Sequence, residues 1–175
     1  MCDRYVVDTN VLIAASSADP SHPKDIDATP EDPALRSQVW SWLKAFRESE
    51  DRLVLDCQQG IFKEYRKKLG FNDFGIQVVM HKWSTCAVDD VDVRYDEDGH
   101  GVLPLSLSTV VHDLEDRKMV AACLQAVNLY KLCRIAFAGD TDWHDWENSL
   151  AEHGVYLLPI IEDWSRQCHA KKKDR

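Results

Sequence analysis

At 175 residues the chain is long enough for one domain, burying roughly two-thirds of the surface its unfolded form exposes. Hydrophobic residues make up 45% and charged residues 29%, ordinary values for a globular protein, and no apolar run approaches the ~20 residues that span a bilayer. The formal net charge of −9 excludes tight retention of polyanions on a broad basic surface. It does not exclude carboxylates gathered round a divalent cation, because the ion reverses the local sign. Cys2, Cys57, Cys86, Cys123, Cys133 and Cys168 lack C-x-x-C spacing, so neither a disulfide framework nor a zinc site is expected. With no charged-then-apolar leader, the expectation is a cytoplasmic protein with reduced thiols.

Tyr5-Val6-Val7 reads as a short buried strand ending at Asp8. Thr9 and Asn10 are helix-capping types, and Val11 to Ala15 can start a helix behind them. Residues 16–33, rich in Pro, Asp, Ser and Thr, read as a long exposed loop. A helix is predicted over 34–49, where Leu35, Val39, Trp42, Leu43 and Phe46 recur at helical spacing. A strand follows over 52–57, then helices over 58–69, stopped by Gly70, and over 74–85. Residues 89–109 are the least readable, with Asp96 to Gly101 marking either a hairpin turn or a loop. A helix over 113–129, a strand over 134–138, a helix over 143–153 and a strand over 155–158 complete the pattern. Such alternation indicates an α/β domain with a mainly parallel sheet and helices on both faces.

Acidic residues recur at matching points of this pattern. Asp8 stands at the carboxyl end of the first strand, where open α/β sheets place their ligand crevices. Glu64 lies in the 58–69 helix, four residues before Lys68, which is also the order of an ordinary surface ion pair. Asp116 projects onto the apolar face defined by Met119, Val120, Cys123 and Val127, where a carboxylate is costly unless a metal or an Arg compensates it. Asp140 and Asp142 follow the 134–138 strand; Asp142 is placed to cap the next helix and Asp140 to act as a ligand. Asp113 is either auxiliary to these acids or the ion-pair partner of Arg117. Converging carboxylates, a hard cation, an activated water and room for a phosphate are the parts of metal-assisted phosphodiester cleavage.

Val7-Asp8-Thr9-Asn10-Val11-Leu12, Glu64 in a helix, Asp116-Arg117-Lys118-Met119 and Gly139-Asp140-Thr141-Asp142-Trp143 resemble the PIN-domain nucleases, which include the VapC-type toxin ribonucleases. The resemblance implies one PIN-like domain over 1–165, with insertions at 16–33 and 89–109 relative to the shorter toxins; the Lys171-Lys172-Lys173 run makes 166–175 read as a basic, solvated tail. It implies Mg2+ or Mn2+ held by Asp8, Asp116 and Asp140, with Glu64 completing the catalytic set. Asn10, Asp113 and Asp142 are expected to be auxiliary, and Lys68, Arg117, Lys118 and Trp143 to contact nucleic acid. The activity implied is endoribonuclease cleavage of single-stranded or structured RNA, with an antitoxin protein and a second copy of the chain as further possible partners. The alternatives are a catalytically silent RNA- or protein-binding module and a phosphoryl-transfer protein. No G-x-x-x-x-G-K-[ST] loop or G-x-S-x-G motif occurs, which disfavours an ATPase or a serine hydrolase.

Overall fold

The computed structural model describes residues 2–22 and 26–175; residues 23–25, inside the 16–33 segment, lie outside the described residues. Five strands, β1 (Arg4–Val7), β2 (Arg52–Asp56), β3 (Val88–Val91), β4 (Arg134–Phe137) and β5 (Tyr156–Pro159), form one all-parallel sheet in the order β3-β2-β1-β4-β5. The central strands are continuous apolar runs because a parallel sheet is covered on both faces: Val6, Val7, Leu53, Val54, Ile135 and Ala136 are buried. From β1 the chain moves outward to β2 and β3, then returns past both to β4 and on to β5. Right-handed crossovers put the helices of these two halves on opposite faces. They also leave a crevice at the carboxyl ends of β1 and β4, where the direction reverses.

The helices are α1 (Thr9–Ser17), α2 (Pro33–Glu48), α3 (Gly60–Lys68), α4 (Phe74–Ser84), α5 (Leu105–Ser108), α6 (Arg117–Tyr130), α7 (Trp143–Glu152) and α8 (Glu162–Lys173). α1, α2 and α4 pack together, whereas α6 lies against β1 through β4. α2 shows why the sequence folds this way. Pro33 opens it, Asp32 accepts from the Ala34 N–H at 2.8 Å, and Val39, Leu43 and Phe46 bury one stripe. Burying each such side chain stabilises by about 1.5–3 kcal/mol, and Leu43→Ala would cost about 2–5 kcal/mol. At the amino ends of the strands, Asp89 pairs with Arg4 and Arg52, each at 2.8 Å, which pins β3 to its neighbours.

Four predicted segments differ from the structure. Residues 89–109, the least readable in sequence, begin inside Val88–Val91, the sheet-edge strand, whose Asp-rich sequence hid it. Beyond it, Tyr95 and Gly101 form one antiparallel bridge closing a tight turn, and α5 follows. The helix predicted from residue 113 begins at Arg117, since Asp113 accepts from the Glu115 N–H at 2.9 Å and holds residues 113–115 in a turn. The 166–175 segment is solvated, as its charge run suggests, but is not a free tail: residues 166–173 belong to α8, and Lys172 and Lys173 reach Asp142 and Asp145 at the start of α7 at 3.1 and 3.4 Å. Within 16–33, Ser16 and Ser17 close α1 and Pro33 starts α2, so the loop proper is shorter than the composition suggests. No helix among the described residues is long and apolar enough to cross a membrane.

Candidate active site

Asp8 leaves β1 still paired to the sheet, its N–H donating to the Ala136 carbonyl at 2.9 Å. It occupies the N-cap position of α1 in an extended conformation, yet its side chain makes no capping bond. Thr9 and Asn10 do not cap either. Thr9 Oγ1 donates to Glu64 Oε1 at 2.5 Å, fixing the α3 carboxylate against α1. Asn10 Oδ1 accepts from the Gly139 N–H at 2.6 Å, and its Nδ2 donates to the Thr29 carbonyl at 2.9 Å. A Cβ on Gly139 would stand 2.1 Å from that carbonyl oxygen, so the β4–α7 turn fits only as glycine. Asn10 is thus a fastener between two loops and the first helix.

These contacts gather Asp8, Asn10, Glu64, Asp113, Asp116 and Asp140 around one cleft of about 510 Å³, with Lys67 and Lys68 also lining it. Asp8 and Asp116 are 4% and 7% exposed, and Oδ2 of each is buried with no hydrogen-bond partner. Such an orphan is costly in an apolar interior unless protonation or a partner such as a cation compensates it. Burial first, then the carboxylates of Asp116, Asp140 and Glu64, hold the Asp8 carboxyl well above the usual range. Burial, then Asp140, Asp113 and Glu64, push Asp116 up to about 8. Burial also raises Asp140, although its carboxylate accepts from the Asp142 N–H at 3.0 Å.

The donor set is all oxygen, as a hard divalent cation prefers. Among the described residues, the three groups whose ligand atoms all approach within 4.8 Å of one another are those of Asp96, Asp98 and His100, on the exposed turn. Asp8, Asp116 and Asp140 do not form such a group.

Other predicted residues take different places. Lys118 is buried, not offered to a polyanion: its ammonium pairs with Glu64 and, at 3.2 Å, with Glu115. Burial opposes its charge, but the Glu64 hydrogen bond and both carboxylates win, and its pKa is raised. Glu64 therefore pairs with Lys118 rather than Lys68, which stays exposed at the rim. Arg117 donates to the Val111 and Ser108 carbonyls at 2.9 and 2.7 Å, so it braces the loop before α6 instead of pairing with Asp113. Trp143 is fully buried against Phe137 and Trp146 and has no face for a base. Asp142 stands at the N-cap of α7 without a side-chain capping bond and faces Lys172.

Asp116 precedes α6 rather than riding its apolar face, but it is buried as the pattern required. Thr9 and Lys118 were the unforeseen partners of Glu64. A signal for Lys118 was available: residues 118–123 are buried in unbroken succession, and so continuous an apolar run after a Lys marks a helix covered all round. No family model, no curated protein and no solved structure matches the chain.

Proposed function

We propose that this cleft is the active site of a metal-dependent endoribonuclease of the PIN type. The observation that carries the reading is the pair of buried, unpartnered carboxylate oxygens on Asp8 and Asp116, in one cleft with Asp140 and Glu64 where the strand order reverses. Asp8, Asp116 and Asp140 would hold Mg2+ or Mn2+. When bound, the ion would neutralise the carboxylates, polarise the scissile phosphate and lower the pKa of a nearby water. Asp140, the least buried of the three, is the acceptor we assign to the proton that water loses. Thr9 and Lys118 hold Glu64 in one orientation, and Lys67 and Lys68 at the rim meet the phosphate backbone. Attack of water on phosphorus breaks the P–O3′ bond, leaving a 5′-phosphate and a 3′-hydroxyl.

A second reading, a binding module without catalysis, draws on the Lys118–Glu64 pair, which already supplies the cleft with one resident cation. Incubating the protein with end-labelled RNA in Mg2+ or Mn2+ and in chelator separates the two. Cleavage that needs the ion and is lost in Asp8→Asn and Asp116→Asn supports the nuclease. RNA retained but never cut under any of these conditions would favour the silent module.

A further inference from the structure

Next to the carboxylate cleft lies a second cavity of about 410 Å³, within the ~300–1,000 Å³ range of small-ligand sites. The two share Glu64 and Glu115 on their common wall, so they are compartments of one groove. Lys67 also borders both, Lys63 borders only the second, and Tyr95 and Asp98 close its far side. Lys63 and Lys67 stand one turn apart on α3, both exposed, and continue the line of positive charge begun by Lys68 at the cleft.

Tyr95 is held in place. Its hydroxyl donates to Asp56 Oδ2 at 2.8 Å, and fully buried Asp56 also accepts from the Gly60 and Ile61 N–H groups at 2.8 Å each. A Cβ on Gly60 would stand 2.2 Å from the Tyr95 hydroxyl, so the ring lies against the first turn of α3 only because that residue is glycine. A fixed aromatic ring in a polar cavity, flanked by a row of lysines, is what an unpaired base with its phosphates requires. Duplex RNA keeps its bases stacked inside and cannot present one to this ring.

Resting on the nuclease reading above, we propose that the second cavity is a nucleotide-binding subsite for single-stranded RNA. Tyr95 stacks on the base beside the cut bond, and Lys63 and Lys67 contact the flanking phosphates. Asp98 offers acceptors to a base N–H or a ribose hydroxyl.

The test uses a 5′-fluorescein hexauridylate with Mg2+, binding being read by anisotropy in an Asp116→Asn background and cleavage in the otherwise wild-type chain. Tyr95→Leu should weaken binding about tenfold, because one base loses its stacking partner, while Tyr95→Phe stays within about twofold. Lys63→Gln with Lys67→Gln should flatten the salt dependence by roughly 1.4 in log–log slope, at ~0.7 per single-strand phosphate contact. A blunt-ended, G·C-rich RNA duplex should compete poorly. If the wild-type chain cleaves RNA and Tyr95→Leu binds as tightly as the parent, the subsite is wrong and the nuclease reading stands. Equal weakening by Tyr95→Phe and Tyr95→Leu would also overturn it, reducing Tyr95 to a structural hydroxyl. RNA neither bound nor cut by the wild type overturns both.

Discussion

Asp116→Asn should make the metal-free protein more stable, by an amount that grows with pH. The folded chain holds the Asp116 proton up to about pH 8, whereas an unperturbed Asp releases it near 3.8. Between those values folding takes up a proton, so stability falls as pH rises through the window. At pH 7 the wild type lies about three pH units above the ordinary value, a penalty on the order of 4 kcal/mol at ~1.4 kcal/mol per unit. Asparagine has nearly the same shape, carries no charge and escapes that penalty. The assay is urea unfolding in EDTA at pH 5 and pH 7.5. The advantage of the variant should widen by roughly 3 kcal/mol between them, at ~1.4 kcal/mol per unit. Millimolar Mg2+ or Mn2+ should then restore the wild type more than the variant, since an ion that binds only the folded state stabilises by mass action. A difference independent of pH, or a variant less stable at pH 7.5, would refute the strained-carboxylate argument and make Asp116 an ordinary structural acceptor.

RNA products should carry 5′-phosphate and 3′-hydroxyl ends, and ligation or mass spectrometry would read them; a 2′,3′-cyclic phosphate would instead implicate the substrate 2′-hydroxyl as nucleophile. Lys118→Met removes the partner of a largely buried Glu64 and should destabilise the metal-free fold by roughly 3–5 kcal/mol in chemical denaturation. Gly139→Ala drives a methyl group into the Thr29 carbonyl and should cost about 1–3 kcal/mol in thermal unfolding, with loss of cleavage as the Asn10 contacts break. Trp143→Phe should lower stability by about 1–3 kcal/mol yet leave the KM for RNA unchanged, because the indole packs inside.

Local apolar runs ending in acids made most of this architecture legible. Tyr5-Val6-Val7-Asp8 and the run into Asp140 each announce a buried strand and a polar residue just past its end. Strand β3 was hidden because Val-Asp-Asp-Val spends its acids on a sheet edge, where Asp89 is answered by Arg4 and Arg52 from other strands. α8 was hidden for a similar reason. Its polar sequence has little apolar periodicity, and it is held by pairs such as Lys172 with Asp142 and Arg166 with Glu147. At the site, the positions of the acids could be read, but not their partners. Lys68 lies at the spacing for pairing with Glu64, yet Lys118 takes that role from across the cleft, because burial strengthens an ion pair that spacing alone cannot reveal. Trp143 misled because an aromatic beside an acid looks the same in sequence whether it faces solvent or the core.

The hydrogen bond from Gly139 to Asn10 closes a loop of 129 residues. β1 is the first strand in the chain and β4 the fourth, and they pair side by side in the middle of the sheet. Long-range parallel pairing of this kind is slow, since loop-closure entropy must be overcome before the contacts reward it. A chain in which β1 and β4 have not yet paired does not hold Asp8 beside Asp140, so the cleft exists only once that pairing is made. RNA cleavage in a refolding experiment should therefore follow that long-range pairing and lag behind recovery of helical signal.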